Sequence, residues 1–317
     1  MLRRLVAADD RTGAFEAAAL LASADSPVTV WVGAAPDEGV VDLCTRHSTA
    51  DEASRRVAGL PSAAWRAHKT DSLLRGNWPA EVGALPGRVL FVPAWPEMDR
   101  VCVGGVVHAG GVSVGAVQDR LRSAVLLPDD AALDRWLAGG EGIGVADADT
   151  EERLRAVAEA AANAVDVVVA GPAGAVGAAH RARFGSAGPG PCPWPEGPVL
   201  VVNGSASAVA HEQVRRLREE RPEVRVLSVP EADADLHPEL ALAVAAEAGA
   251  LMTGIATVVV IGGDTAAALL GDAPRRVGGF AAPGMPWSLD ERGGGPLVVS
   301  KAGAFGGPDA LLGLRLR

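Results

Sequence analysis

The chain of 317 residues contains no tyrosine, three cysteines, and two lysines among its 29 cationic residues, the rest being arginine. The first absence removes the phenol from any acid–base chemistry. Cysteines at 44, 102 and 192 lie far apart without a CxxC, which excludes a zinc knuckle and a disulfide frame and fits reduced thiols. None of the histidines shows HxxxH or HExxH spacing, so each reads as structural. There is no Walker A loop, and "GPAGAVG" at 171–177 lacks the GxGxxG spacing of a dinucleotide fingerprint, which disfavours a nicotinamide oxidoreductase. Long apolar runs are missing too. The N-terminal "MLRRLVAADDRTGA" has no h-region, and the most apolar stretch, "AGALMTGIATVVVIGG", is short and broken by Gly and Thr, so no membrane partner and a cytoplasmic location are expected. A net charge of −10 without any Lys/Arg block argues against a nucleic-acid partner.

What the chain does have is 49% apolar and 21% charged residues, enough for a sizeable core. Short β-rich runs ("RRLVAAD", "PVTVWVG", "GRVLFVPA", "VDVVVAG", "PVLVVNG", "ATVVVIGGD") alternate with Ala-rich helical stretches such as "GAFEAAALLAS" and "SASAVAHEQVRRLREE". Continuous apolar strands followed by helices indicate parallel sheets covered on both faces, an α/β class. The proline- and glycine-dense segment "GSAGPGPCPWPEGP", 185–198, is the expected linker between an N-terminal domain, 1–184, and a C-terminal domain, 199–317.

Ligands of such folds bind where strands end and helices begin, so those junctions are the places to search. After the first strand stand two adjacent carboxylates, Asp9 and Asp10, more than one helix cap requires. "HKTDSLLRGN" gathers Lys69, Thr70, Asp71, Ser72 and Arg75, a set suited to a small polyhydroxylated acid. Here Arg75 could hold a carboxylate with two parallel hydrogen bonds, and Lys69 gives a compact charge. "NGSAS" with Ser205 and Ser207, "GGDT" with Gly262, Gly263, Asp264 and Thr265, and "SKAGAFGG" with Lys301 and Gly303 are Gly-rich turns of the kind that bind phosphate. A composition that uses arginine almost everywhere yet keeps lysine at 69 and 301 suggests a need for a slim point charge there.

Six motifs in order, "ADDRTGA", "KTDSLLRGN", "VPAWPEMDR", "NGSAS", "GGDTA" and "KAGAFGG", resemble those of the four-carbon acid sugar kinase family across nearly the whole chain. The resemblance implies two α/β domains with mostly parallel sheets flanked by helices and an active site in the interdomain cleft. It implies transfer of phosphate from ATP, with Mg²⁺, to the terminal hydroxyl of a threonate, erythronate or 3-oxo-tetronate type sugar acid. Asp9, Asp10, Arg46, Lys69, Thr70, Asp71, Ser72, Arg75 and Arg100 would then bind the acid. Ser205, Ser207, the run Gly262 to Thr265, Lys301 and Gly303 would bind ATP, with Asp264 assisting through Mg²⁺ or as a helix cap. The base would be Asp9, Asp10 or Asp71, and the chain could form a homo-oligomer. Arg11, Leu73 and Asp99 depart from the family's leucine, threonine and glycine. These departures leave room for a kinase of another small hydroxy acid, or for a protein that binds both ligands without turnover.

Overall fold

The computed structural model describes residues 3–33, 38–164, 166–185, 188–231 and 238–316, so Ser186 and Ala187 of the expected linker lie outside the described residues. The elements run β1 (Arg4–Ala8), α1 (Arg11–Leu21), β2 (Val28–Val32), β3 (Gly39–Asp42), α2 (Ala50–Ala58), β4 (Trp65–Lys69), α3 (Trp78–Gly83) and β5 (Arg88–Phe91). A 3₁₀ turn at Pro96–Met98 leads to β6 (Arg100–Val103), β7 (Val106–Ala109), β8 (Val112–Ala116), α4 (Val117–Arg120) and β9 (Val125–Leu127). Then come α5 (Asp130–Gly139), β10 (Ile143–Ala146), α6 (Glu151–Ala161), β11 (Val167–Gly171), α7 (Ala173–Phe184), β12 (Val199–Asn203), α8 (Ala208–Glu220) and β13 (Arg225–Ser228). The chain ends with α9 (Pro238–Ala250), β14 (Thr257–Ile261), α10 (Gly263–Leu270), β15 (Arg275–Ala282), β16 (Met285–Asp290) and β17 (Leu297–Lys301).

The chain forms two compact units, Met1–Leu21 with Val32–Ala187, and Ala22–Trp31 with Gly188–Arg317. The division is therefore not the simple cut at 185–198 read from composition. Residues 22–31 join the second unit because Val28–Val30 of β2 pair antiparallel with Arg275–Val277 of β15, and Ala24 N donates to Gly188 O at 3.1 Å. Proline and glycine in the 188–198 stretch do not make it a free linker either, since Gly190 N donates to Gly278 O at 2.9 Å.

In the first unit the strands run in the order β3-β1-β4-β11-β5-β10-β9, parallel at every pairing. The small antiparallel sheet β6-β7-β8 was not foreseen in the sequence. Helices α1 and α7 carry alanine and glycine where they meet, and a Cβ on Gly177 would stand 2.9 Å from Leu20. Small residues allow this close approach and explain why both helices are buried over most of their length rather than amphipathic. On the other face Trp78 stacks on Phe91 with ring centroids 5.0 Å apart, both fully buried.

The second unit follows the order β13-β12-β14-β17-β16-β15-β2, parallel from β13 to β17 and antiparallel beyond. Its parallel strands β12, β14 and β17 are buried on both faces with period two. Val201, Val259 and Val299 face one apolar cluster, Val202, Val258 and Val298 the other. In both units the first strand is flanked by neighbours reached in opposite directions, β1 by β3 and β4, β12 by β13 and β14. In open α/β sheets such a reversal of strand order is where ligands bind, outside the C-terminal ends of the strands. Among the described residues no helix is long and apolar enough to cross a membrane.

Trp78→Ala should cost about 3–5 kcal/mol by opening a cavity against Phe91. The urea midpoint followed by circular dichroism measures it, and a loss under about 0.5 kcal/mol, ordinary for a surface site, would contradict this core.

Candidate active site

At the C-terminal edge of the first unit, β1 delivers Asp9 and Asp10, β4 delivers Lys69, and the loop after β3 delivers Arg46. Asp10 caps α1, its Oδ1 accepting from Gly13 N (3.0 Å) and its Oδ2 from the Thr12 hydroxyl (2.8 Å). Arg46 Nε donates to Asp9 Oδ2 at 2.6 Å, and its Nη2 lies 3.0 Å from Asp10 Oδ1 and 3.3 Å from Asp71 Oδ1 in ion-pair contact without hydrogen-bond alignment. Lys69 Nζ reaches Asp10 Oδ1 at 3.2 Å and Asp9 Oδ1 at 3.5 Å. Asp71 accepts from Arg75 Nε (3.0 Å), Arg75 Nη2 (2.9 Å) and the backbone N–H groups of Leu73 and Arg75.

Glycine permits this crowding. A Cβ on Gly13 would fall 1.9 Å from Lys69 Nζ, and Gly76, at φ +75, brings the backbone against the Arg46 side chain. Asn77 Nδ2 donates to Thr45 O and Ser48 O, both at 2.8 Å, which ties the Arg46 loop to the segment after β4. Behind them lies a fully buried His68–Glu81 pair at 3.0 Å.

Burial alone would neutralise these carboxylates, but Arg46 and Lys69 outweigh it at Asp10, holding that acid well below the usual range. At Asp71 burial is likewise outweighed, by Arg46 and Arg75. Asp9 is the exception, since its burial prevails over Arg46 and Lys69 and the acid is raised. The carboxylates in turn keep Arg46 and Lys69 protonated despite burial.

Of the other expected residues, Arg100 lies within electrostatic reach of Asp71 and Arg75. Thr70 is fully buried with its hydroxyl unpartnered among the described residues, and Ser72 is partly buried beside Asp71. The departures find structural reasons. Arg11 Nε pairs with buried Asp42 at 2.9 Å, which gives its charge a partner within the core. Asp99 adopts the left-handed conformation (φ 56, ψ 33) that favours glycine and that aspartate tolerates, so the turn before Arg100 is kept. Leu73 takes part through its backbone N–H alone.

One residue of this cluster was not singled out in the sequence. Glu16, partly buried on α1, is coupled electrostatically to Lys69, Asp10, Asp71, Arg46 and Arg100. The signal was its spacing. Three residues after Gly13, it shares the helix face that meets Lys69.

In the second unit, β12, β14 and β17 end at Asn203, Ile261 and Lys301. Buried Asn203 shapes the first turn, its Oδ1 accepting from Ser205 N (3.1 Å) and its Nδ2 donating to Ser228 Oγ (3.0 Å). Ser205 Oγ donates to Ser207 Oγ at 3.1 Å, and Ser207 caps α8. Gly262, at φ +109, opens α10 without a side-chain cap, and beside it the fully buried Thr265 hydroxyl has no partner among the described residues. A Cβ at Gly204 would lie 1.8 Å from that hydroxyl, and one at Gly303 would lie 2.2 Å from Ser205 Oγ. Three strand ends thus meet in a seat lined by hydroxyls and backbone amides, with Gly263 in the first turn of α10. Asp264 is exposed in that turn.

Lys301 behaves differently from the expected phosphate ligand. Fully buried, its Nζ donates to Ala302 O at 2.9 Å and Gly303 O at 3.2 Å, and burial pulls the ammonium down to about 7. It braces the loop that carries Gly303.

Residues 4–128 match the model of a sugar-binding N-terminal domain. The chain is 34% identical over 280 residues to a D-threonate kinase of Cupriavidus necator, an alignment covering 71% of this chain and 66% of the relative. Its fold is similar to that of a Salmonella typhimurium LT2 protein described as a putative tRNA synthase (TM-score 0.75, 20% identity, 99% of this chain and 98% of that one). It is also similar to that of a Haemophilus influenzae protein from a family of unknown function (TM-score 0.67, 19% identity, 98% of both chains). A Bordetella bronchiseptica domain of unknown function, a domain-swapped dimer with bound citrate, gives a TM-score of 0.51 at 22% identity over 98% of this chain and 97% of that one.

Gly13→Ala would favour an isolated helix by about 1 kcal/mol. Here it should instead destabilise, by about 1–3 kcal/mol, because the methyl collides with the Lys69 ammonium and Asp10. Thermal melting decides the sign, and a rise in Tm would mean that the seat of Lys69 is roomier than observed.

Proposed function

The chain belongs to the four-carbon acid sugar kinase family, and from that premise we propose that it transfers the γ-phosphoryl group of ATP to the terminal hydroxyl of a threonate, erythronate or 3-oxo-tetronate type sugar acid. The observation that carries the reading is the charge-rich cluster of Asp9, Asp10, Arg46, Lys69, Asp71 and Arg75, set inside the segment that matches a sugar-binding domain.

The acid's carboxylate would be held by Arg75, whose side chain is 48% exposed, together with Arg100. Arg46 is already committed to Asp9, Asp10 and Asp71. Hydroxyls of the substrate would meet Asp9, Asp10, Lys69, Thr70 and Ser72, where carboxylates accept and the ammonium donates. In the second unit the triphosphate would lie against the amides opening α10 and the hydroxyls of Ser205, Ser207 and Thr265, with Gly262, Gly263 and Gly303 admitting it closely. The orphaned Thr265 hydroxyl fits a donor that awaits an acceptor oxygen.

Among the described residues no group of three or more His, Cys, Asp or Glu could cage a metal. Mg²⁺ would arrive on the phosphates, with Asp264 as its protein carboxylate and water completing the shell. The ion would neutralise charge on the transferring group, the chief demand of this chemistry.

Coupled ADP detection over threonate, erythronate and their 3-oxo relatives tests the reading. Turnover is expected with at least one acid. Thermal stabilisation by ATP and acid without ADP release would instead mark a binding protein. Lys301→Arg should raise KM for ATP by about tenfold, because a guanidinium does not fit the buried brace under Gly303. Unchanged ATP kinetics would remove that loop from the nucleotide site.

A further inference from the structure

We propose that Arg120 is a positioning residue for the sugar acid: it sets the backbone on either side of Arg75 and so aims the guanidinium that would take the substrate's carboxylate, an inference that rests on the kinase reading above.

Arg120 ends α4, far along the chain from the segment it holds. Its Nη1 donates to Leu74 O at 2.7 Å and its Nη2 to Gly76 O at 2.8 Å. Those carbonyls belong to the residues immediately before and after Arg75, so one planar fork grips both flanks of it. Among the described residues no carboxylate pairs with Arg120, and its charge is spent on these carbonyls. The guanidinium also lies over the Trp78 ring, 5.4 Å from its centroid. Trp78 Nε1 donates to the same Leu74 O at 3.1 Å, so that carbonyl accepts twice.

The segment needs such a hold. Residues 70–77 belong to no helix or strand, and within them Leu74 has φ 55, a left-handed conformation that is unfavourable for any residue with a Cβ. Conformations of this kind persist where the surroundings fix them. Here the peptide joining Leu74 to Arg75 is held at both ends, its C=O by Arg120 and Trp78 and its N–H by Asp71 Oδ2 at 3.1 Å. That fixes the plane from which the Arg75 side chain departs. Asp71 then takes Arg75 through Nε and Nη2, which leaves both hydrogens of Nη1 and one of Nη2 on the outer edge of the fork for a second carboxylate. The direction of that edge follows from the backbone beneath it.

Arg120 itself stands on a firm base. Helix α4 follows directly on β8, Val117 is fully buried, and its N–H donates to Gly105 O at 2.9 Å. Gly105 N in turn donates to Asp147 Oδ1 at 2.9 Å. The small antiparallel sheet thus carries a cation to the segment after β4.

The test uses the full-length chain with ATP, Mg²⁺ and whichever sugar acid the wild type turns over. Arg120→Ala should raise KM for the acid by about tenfold, with kcat and KM for ATP each within about threefold, the pattern of a contact made equally in ground and transition states. Arg120→Lys, a point charge that cannot grip both carbonyls, should give an intermediate KM, and it carries the test if the alanine variant does not fold. In an Arg75→Ala background the loss of Arg120 should add less than about twofold, because the two residues act as one unit. A variant at position 120 with the wild-type KM for the acid, an equal loss in KM for ATP, or a full tenfold loss added to Arg75→Ala would overturn the assignment while leaving the kinase reading intact. A wild-type chain that releases no ADP with any of the acids sinks the kinase reading itself, and this assignment with it.

Discussion

Placing two adjacent carboxylates at the end of a buried strand is unfavourable unless cations reach them, and the site end of the first unit is organised by that requirement. Arg46 and Lys69 supply the charge. Around them the chain supplies glycine at 13 and 76 for close approach, Asn77 to hold the Arg46 loop, and Asp71 to hold Arg75. Truncating either cation would strand buried charge, whereas the intact network leaves the region close to neutral and still rich in hydrogen-bonding groups.

The two lysines serve different ends. Lys69 is a slim ammonium between two aspartates, in a space that a methyl on Gly13 would already overfill. Among the described residues Lys301 has no carboxylate partner and instead binds two carbonyls of its own loop, where its low affinity for a proton records the burial. Both are sites where a planar guanidinium is too large. Selection for a compact cation unites them, while direct contact with phosphate does not follow for Lys301.

Departures from the family motif prove to be compensated in place. Arg11 is neutralised by Asp42 within the core, and Asp99 keeps the left-handed turn before Arg100. Neither substitution removes a group that the cluster uses, so the arrangement of cations around the aspartates survives a motif that looks altered on paper.

The α/β class, the parallel strands and most members of the buried charge cluster were readable in the amino-acid order. Apolar runs followed by helices report local periodicity, and glycine and hydroxyl residues at strand ends report backbone geometry that needs no distant partner. Tertiary structure alone decided the rest. That 22–31 joins the second unit depends on pairing with β15, more than 200 residues away, and strand pairing over such distances leaves no local trace. Which carboxylates stay readily ionised was equally hidden. Asp9, Asp10 and Asp71 look alike as letters, and only the folded chain sets them apart, because burial prevails at Asp9 while cations and amides outweigh it at Asp10 and Asp71.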